Sequence, residues 1–291
     1  MPEPEEKRAE QAASAADDQI ALYLHDPSPL VVKALLGNRR LTEEHVVVIA
    51  QRRNLPGDVL DSIVKDRRWI ESYPVRLALS RNPKTPLFSA LSLARYLRLF
   101  DLAAIARDHL LPVLYRRKIE SIVIEKIPTL ALGVKKSLAK TATGEILLAL
   151  IQNGYPDVVN TCLDNPHLVE AHLYKVISRS TSTPGTIRSI ANHRNWSSRY
   201  QIKFALIRNG QTPLSRSVQF LPDLKSRDLR ELYRDPLLPP AVRPSIHREL
   251  MERGEDPASF AFQEEETVFE IEDSEVEEIE QEMRSYLDGN L

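Results

Sequence analysis

Glycine is scarce in this chain of 291 residues, with nine in all and no glycine-rich turn among them. Rossmann and P-loop folds cradle phosphate on such turns, so both are disfavoured. A lone cysteine, Cys162, excludes an internal disulfide and any multi-cysteine zinc or iron–sulfur site. No apolar run is long enough to span a bilayer. The opening residues, MPEPEEKRAEQ, lack the apolar stretch of a secretory signal. A reducing, cytoplasmic setting is the expectation. Also missing are His-Glu-x-x-His, a Gly-x-Ser-x-Gly elbow, a paired-carboxylate motif and any period-2 alternation of useful length. Enzymatic chemistry therefore has no positive support. No cofactor, metal, membrane or small-molecule partner is indicated.

What is present is apolar substance, 42% of residues, with 27% charged and 20 prolines. That composition buries a core of one large domain or two small ones. The net charge of −2 averages unlike segments. Residues 1–26 carry 2 basic and 7 acidic side chains, and residues 255–291 carry 1 basic and 14 acidic. Subtraction leaves residues 27–254 with 36 basic against 20 acidic, a net of +16. A basic body between acidic ends attracts anionic surfaces over about a Debye length, roughly 8–10 Å.

The chain also repeats itself at an offset of 127 residues. Residues 38–119 and 165–246 align without a gap, with 27 identities over 82 positions. Unrelated alignment would give roughly one in twenty. Asn38-x-x-Leu41-x-Glu43-x-His45 returns as Asn165-x-x-Leu168-x-Glu170-x-His172. Arg67-x-Trp69-x-x-x-Tyr73 returns as Arg194-x-Trp196-x-x-x-Tyr200, and Arg81-Asn82-x-x-Thr85-Pro86 as Arg208-Asn209-x-x-Thr212-Pro213. A spacing of 44 residues separates Asn38 from Asn82 and Asn165 from Asn209. Repeats of that length are two- or three-helix units that bury their apolar faces only by stacking. Apolar spacing is helical, as in Leu30, Val31, Ala34 and Leu35. Asp26-Pro27, Thr42-Glu43, Thr85-Pro86, Thr183-Pro184 and Thr212-Pro213 read as helix starts, a capping side chain followed by proline or acid. Fourteen to sixteen short helices and no sheet are predicted. The expected fold is all-α, a right-handed α-solenoid of about six HEAT-like repeats. Its expected parts are a disordered segment 1–16, a solenoid over 17–254 with halves of about 26–150 and 151–254, and an acidic C-terminal tail over 255–291.

Asp26-Pro27-Ser28-Pro29 through Gly37-Asn38 resembles the leucine-rich repeat variant, a bacterial relative of HEAT-type solenoids. Pro74-Val75-Arg76-Leu77-Ala78, followed by Asn82-Pro83-Lys84-Thr85-Pro86, is similar to that family's signature stretch, and Ile202 to Asn209 is a weaker match. The 44-residue spacing is longer than the family's usual repeat. The resemblance implies a binding scaffold. Some HEAT-like proteins are similar to DNA glycosylases, which on that resemblance would cast Asp66 beside Trp69 as an active carboxylate. The aligned partner of Asp66 is His193, so the carboxylate is not repeated. Trp69/Tyr73 and Trp196/Tyr200, each at i, i+4 spacing, are more simply packing elements between repeats. The equivalence of His45 and His172 likewise suggests a repeated structural contact, and Cys162 sits in an apolar helical run.

Basic pairs carry the functional expectation. Arg39, Arg40, Arg52, Arg53, Arg67, Arg68, Arg116 and Arg117 recur mostly at 13 to 15 residues, which places a pair near each helix end. On a shared face they form an anion-binding strip; otherwise they cap helix C-termini. Residues 264–282 supply an anionic counterpart with 11 acids and no base. Val276, Ile279, Met283 and Leu287 follow at helical spacing, giving an acidic amphipathic helix as against a merely solvated tail. The expected function is a protein-binding scaffold that takes an acidic protein segment, its own tail being one candidate. Nucleic acid, with or without base-repair chemistry, is the alternative partner.

Overall fold

A computed structural model describes residues 3–256. Among them the fold is all-helical and contains no strand. The first helices are α1 (Glu5–Ser14), α2 (Asp17–Tyr23), α3 (Pro29–Leu36), α4 (Glu43–Gln51), α5 (Gly57–Lys65), α6 (Arg67–Ile70) and α7 (Tyr73–Ser80). Next come α8 (Leu87–Ala94), α9 (Leu99–Arg107), α10 (Val113–Lys126), α11 (Leu132–Ala139) and α12 (Gly144–Gln152). The last are α13 (Pro156–Leu163), α14 (Glu170–Ile177), α15 (Pro184–Asn192), α16 (Tyr200–Arg208), α17 (Leu214–Phe220), α18 (Ser226–Arg234) and α19 (Arg243–Glu252). Helices of seven to ten residues dominate, too short to persist alone, so packing holds them.

The duplication reappears as geometry. Helices α3, α4, α5, α7, α8 and α9 begin 127 residues before α13, α14, α15, α16, α17 and α18 respectively. Alternate helices pair: α11 packs on α13 and α13 on α15, while α12 packs on α14 and α14 on α16. In the first half α1 packs on α3 and α4 on α7. The apolar core runs across the join near residue 150, where Leu147 and Ile151 of α12 lie with Val159 and Leu173. Equivalence ends near residue 240. Helix α10 is one piece, whereas Pro240 and Pro244 divide its counterpart into a 3₁₀ turn and α19.

Four asparagines join the units. Asn82 Nδ2 donates to Ala50 O (2.7 Å) and Arg52 O (2.8 Å), and its Oδ1 accepts Lys84 N–H (2.9 Å). Asn38 donates to Ala12 O and Ala15 O, both at 3.0 Å, and accepts from Arg40 N–H. Asn165 reaches Ala139 O (2.7 Å) and Asn209 reaches Ile177 O (2.5 Å). Each thus satisfies backbone at the end of an earlier helix, where the last carbonyls lack intrahelical donors. The 44-residue spacing is the spacing of these staples.

Several expectations are corrected. Residues 5–14, expected to be without order, form α1. Its Ala9 and Ala12, with Ala15 just beyond, are buried, and Arg8 pairs with Asp26 (3.0 Å). The Ala/Glu composition that reads as a frayed segment is a small-residue face laid against α3. Thr85 and Thr212 do not cap the helices that follow them. Their hydroxyls donate backward to Leu79 O (2.7 Å) and Leu206 O (2.6 Å), closing the preceding helices. Asp26 yields the cap of α3 to Ser28, whose side chain accepts from Leu30 and Val31 N–H. Thr42 and Thr183 do cap α4 and α15. Nineteen α-helices are described, more than the sequence pattern suggests. Val276, Ile279, Met283 and Leu287, and the whole stretch 264–282, lie outside the described residues.

Candidate functional site

The eight arginines of the predicted strip do not act alike. Arg39, Arg40, Arg53, Arg67, Arg68 and Arg117 are exposed. Arg52 turns inward and donates to Leu24 O (2.6 Å) and Asp26 O (2.7 Å). Burial pushes its guanidinium below the ordinary value, with Asp26 opposing. Arg68 donates to Leu36 O (2.8 Å), pairs with Asp66 (2.6 Å) and lies 5.1 Å from the Trp69 ring centre. Its hydrogen bond holds the Asp66 carboxyl below the usual range, against a smaller burial effect. Asp66 also accepts Arg68 N–H, capping α6. That carboxylate is therefore engaged in local structure. Arg116 Nε donates to Leu111 O (3.2 Å). Backbone carbonyls thus engage three of the eight guanidiniums, with Arg52 and Arg116 half-buried and Arg68 still exposed.

In each aromatic pair the tryptophan is interior and the tyrosine half-buried. Trp69 and Trp196 are each 8% exposed, which removes them as open platforms for a base. Trp196 Nε1 donates to Leu163 O (2.8 Å). Tyr73 donates its hydroxyl to Asp101 and accepts Arg98 N–H (3.1 Å); Tyr200 does the same with Asp228 and Lys225 N–H (3.0 Å). Burial first, then the carboxylate partner, pushes both tyrosine hydroxyls above their ordinary pKa. His45 Nδ1 and His172 Nδ1 each accept the N–H three residues back, both at 3.3 Å, closing the starts of α4 and α14. Cys162 is fully buried, and burial pushes its thiol up to about 12. Lys135 is buried too, donating to Asn153 Oδ1 (2.7 Å) with its ammonium 4.6 Å from the Tyr155 ring centre.

Three clefts gather basic side chains, of which Arg81 already pairs with Asp101 (3.5 Å). One, of about 420 Å³, lies between α4 and α7 and is lined by Arg53, Arg81, Asn82 and apolar side chains such as Val47 and Leu77. A second, of about 470 Å³, joins the halves, with Arg107, His109, Arg116, Glu120, Glu145, His167 and His172 on its walls. A Cβ at Gly144 would stand 2.2 Å from His172 Cε1, so any larger residue there must displace the His172 ring. Among the described residues no group of three or more His, Cys, Asp or Glu is arranged to hold a metal ion.

The third cleft, about 630 Å³ and the largest of these three, lies along α18 beside the end of α16. Arg208, Arg227, Arg230 and Arg234 line it together with Glu231 and Asp235. Asp235 is held by Arg208 (2.5 Å) and accepts Leu237 N–H (2.9 Å). Arg230 reaches Glu255 at 3.2 Å. The aligned first-half positions are Arg81, Phe100, Ala103 and Arg107. Two arginines are thus common to both halves, and Arg227 and Arg230 belong to the second alone.

Across the three clefts eight arginines face four carboxylates. Only Arg53 and Arg116 among them belong to the predicted strip. Arg81, Arg107, Arg208 and Arg234 were missed because they are single arginines rather than adjacent pairs. Their signal was the duplication, which keeps Arg81-Asn82 as Arg208-Asn209 and Arg107-Asp108 as Arg234-Asp235. The described residues thereby define an all-helical body with a duplicated helical framework and arginine-lined clefts. Comparison with protein-family models, with curated proteins and with solved structures returns no match to it.

Proposed function

We propose that this protein is a non-catalytic scaffold, a right-handed α-solenoid of about six HEAT-like repeats, that binds an acidic protein segment through its basic clefts. The observation that carries this reading is the excess of guanidinium over carboxylate in the three clefts, eight against four. Arginine presents a planar fork that takes a carboxylate through two parallel hydrogen bonds. Clefts a few residues long, separated along a stacked helical body, suit a peptide that sets one acidic side chain into each. Acidic side chains on the same walls, and the burial of both tryptophans, favour a peptide over a continuous phosphate backbone with stacked bases. The resemblance to the leucine-rich repeat variant supports a scaffold role in the same direction.

Fluorescence anisotropy tests the reading. The titrants are a chain ending at Asp256, which keeps every described core residue, and the full chain. The probes are a labelled poly-glutamate peptide, a mixed-sequence DNA duplex and the matching single strand, each at low and moderate salt. Binding of the peptide in preference to both nucleic acids is expected. If the duplex or single strand binds more tightly, with log K falling by about 0.9 or 0.7 per phosphate contact per decade of salt, the partner is nucleic acid and the reading falls.

A further inference from the structure

We infer that the acidic stretch 264–282 of this same chain docks in the cleft along α18, so that the protein occupies its own principal binding site. This rests on the acidic-segment reading above and assigns that segment a source, a site and a regulatory consequence.

Three observations meet here. First, the described chain leaves the fold at the edge of this cleft. Gly254 N–H donates to Met251 O (3.0 Å), Glu255 N–H to Leu250 O (3.1 Å), and the Glu255 carboxylate sits on Arg230 at 3.2 Å. The first acid beyond the body is thus already on an arginine of the site. Second, charge is complementary. The stretch 264–282 carries 11 acids and no base, and it begins nine residues after Glu255. Nine residues reach about 30 Å when extended, whereas the nine residues of α18 span about 14 Å. The stretch therefore reaches every part of the cleft. A tethered ligand at such range acts at about millimolar effective concentration. Third, the duplication marks where the two halves differ in charge. Arg227 and Arg230 occupy positions held in the first half by Phe100 and Ala103, and Glu231 on the same wall stands where the first half has Ala104. Arg227 is exposed on the first turn of α18, where no packing demands a guanidinium. The cleft near the emerging acidic chain thus carries two arginines that its first-half counterpart lacks.

The consequence is self-occupancy: a partner with an acidic segment must displace 264–282 before it binds. Neutralising the stretch raises apparent affinity for a second acidic ligand, and adding charge to it lowers that affinity.

The test keeps the full chain. The probe is a fluorescein-labelled synthetic peptide of residues 264–282, read by anisotropy. Wild type is compared with a full-length variant in which every acid of 264–282 is changed to its amide. The neutralised variant is expected to bind the probe at least tenfold more tightly than wild type. Arg227→Ala/Arg230→Ala in that variant should lower the affinity at least tenfold. Arg227→Ala alone, at an exposed position, guards against a folding defect and should give part of the loss. Arg39→Ala/Arg40→Ala should change nothing. Equal binding by wild type and the neutralised variant overturns self-occupancy and leaves the acidic-segment reading standing. Binding indifferent to Arg227 and Arg230 overturns the assignment to this cleft. If no variant binds this peptide or poly-glutamate, the acidic-segment reading itself fails.

Discussion

The two halves share their interior and differ on their surface. Inside, hydrogen bonds recur at the 127-residue offset with the same partners: Tyr73 to Asp101 and Tyr200 to Asp228, Thr85 to Leu79 O and Thr212 to Leu206 O. Outside, Phe88, Tyr96 and Phe100 of the first half are exposed at 86%, 68% and 49%, where the second half has Ser215, Asp223 and Arg227. A buried polar group that loses its partner costs about 1–3 kcal/mol, and a change on the surface usually costs under half of one. Interior contacts are therefore held in register while surface residues are free to diverge. What each half binds is to be sought where the halves disagree.

The interior likeness has graded exceptions, and the largest is at the asparagine staples. Asn82 is 4% exposed and serves two carbonyls, whereas half-buried Asn209 serves Ile177 O. Asn82→Ala leaves two carbonyls without that donor and should cost about 3 kcal/mol; Asn209→Ala should cost about 1–2 kcal/mol. Urea unfolding midpoints measure the gap. Equal losses would show that the halves are energetically alike despite the different geometry.

Next in size come the tyrosine–carboxylate bonds, where the halves should agree. Tyr73→Phe and Tyr200→Phe each remove a hydrogen bond to a charged group, worth about 1.5–3 kcal/mol. The pH dependence has a definite sign. Both hydroxyls have folded pKa values raised above the ordinary 10.0. Their stabilising contribution is present in full below pH 10 and is lost as pH climbs through the folded value. The deficit of either Phe variant against wild type should therefore shrink above pH 10, and by a similar amount for the two. A deficit that is flat to pH 12, or present in one half only, breaks the equivalence.

Much of this framework is legible in the letters, because duplication prints each interior contact twice. Asn38, Asn82, Asn165 and Asn209 stand at their spacing in plain view, and so do both Trp–Tyr pairs. Side-chain direction is a different matter. Arg52-Arg53 reads as one basic pair, yet Arg52 folds onto Leu24 and Asp26 carbonyls while Arg53 lines a cleft. Which of two neighbours turns inward depends on an orphan carbonyl 26 to 28 residues away, which local pattern does not encode. Helix α1 escaped notice for a similar reason. Its alanines look like a frayed segment until Asn38 accepts the task of holding Ala12 O and Ala15 O. The arginine cleft along α18 was hidden because its charge comes from residues one helical turn or more apart, contributed by two helices.

The smallest expected effect concerns a single carbonyl satisfied in two ways. Leu36 O and Leu163 O are equivalent, and each closes a helix whose last carbonyls lack intrahelical donors. In the first half the donor is Arg68 Nη2 (2.8 Å), and Trp69 Nε1 is buried without an acceptor. In the second half Asn195 stands at the Arg68 position, and Trp196 Nε1 makes the bond itself (2.8 Å). The tryptophan rings are equally buried, so their packing contributions should cancel in a comparison. Trp196→Phe loses packing and a hydrogen bond, and Trp69→Phe loses packing and releases an unsatisfied N–H. Trp196→Phe should therefore be the more destabilising by about 1–2 kcal/mol. Arg68→Ala should bring the halves together: with Leu36 O vacated, Trp69 Nε1 has an acceptor, and a subsequent Trp69→Phe should then cost nearly what Trp196→Phe costs. A double-mutant cycle on Arg68 and Trp69, read by thermal unfolding, measures that coupling. Additive losses would mean that Trp69 does not take over the carbonyl, and that the two halves reached different solutions that do not interconvert by one substitution.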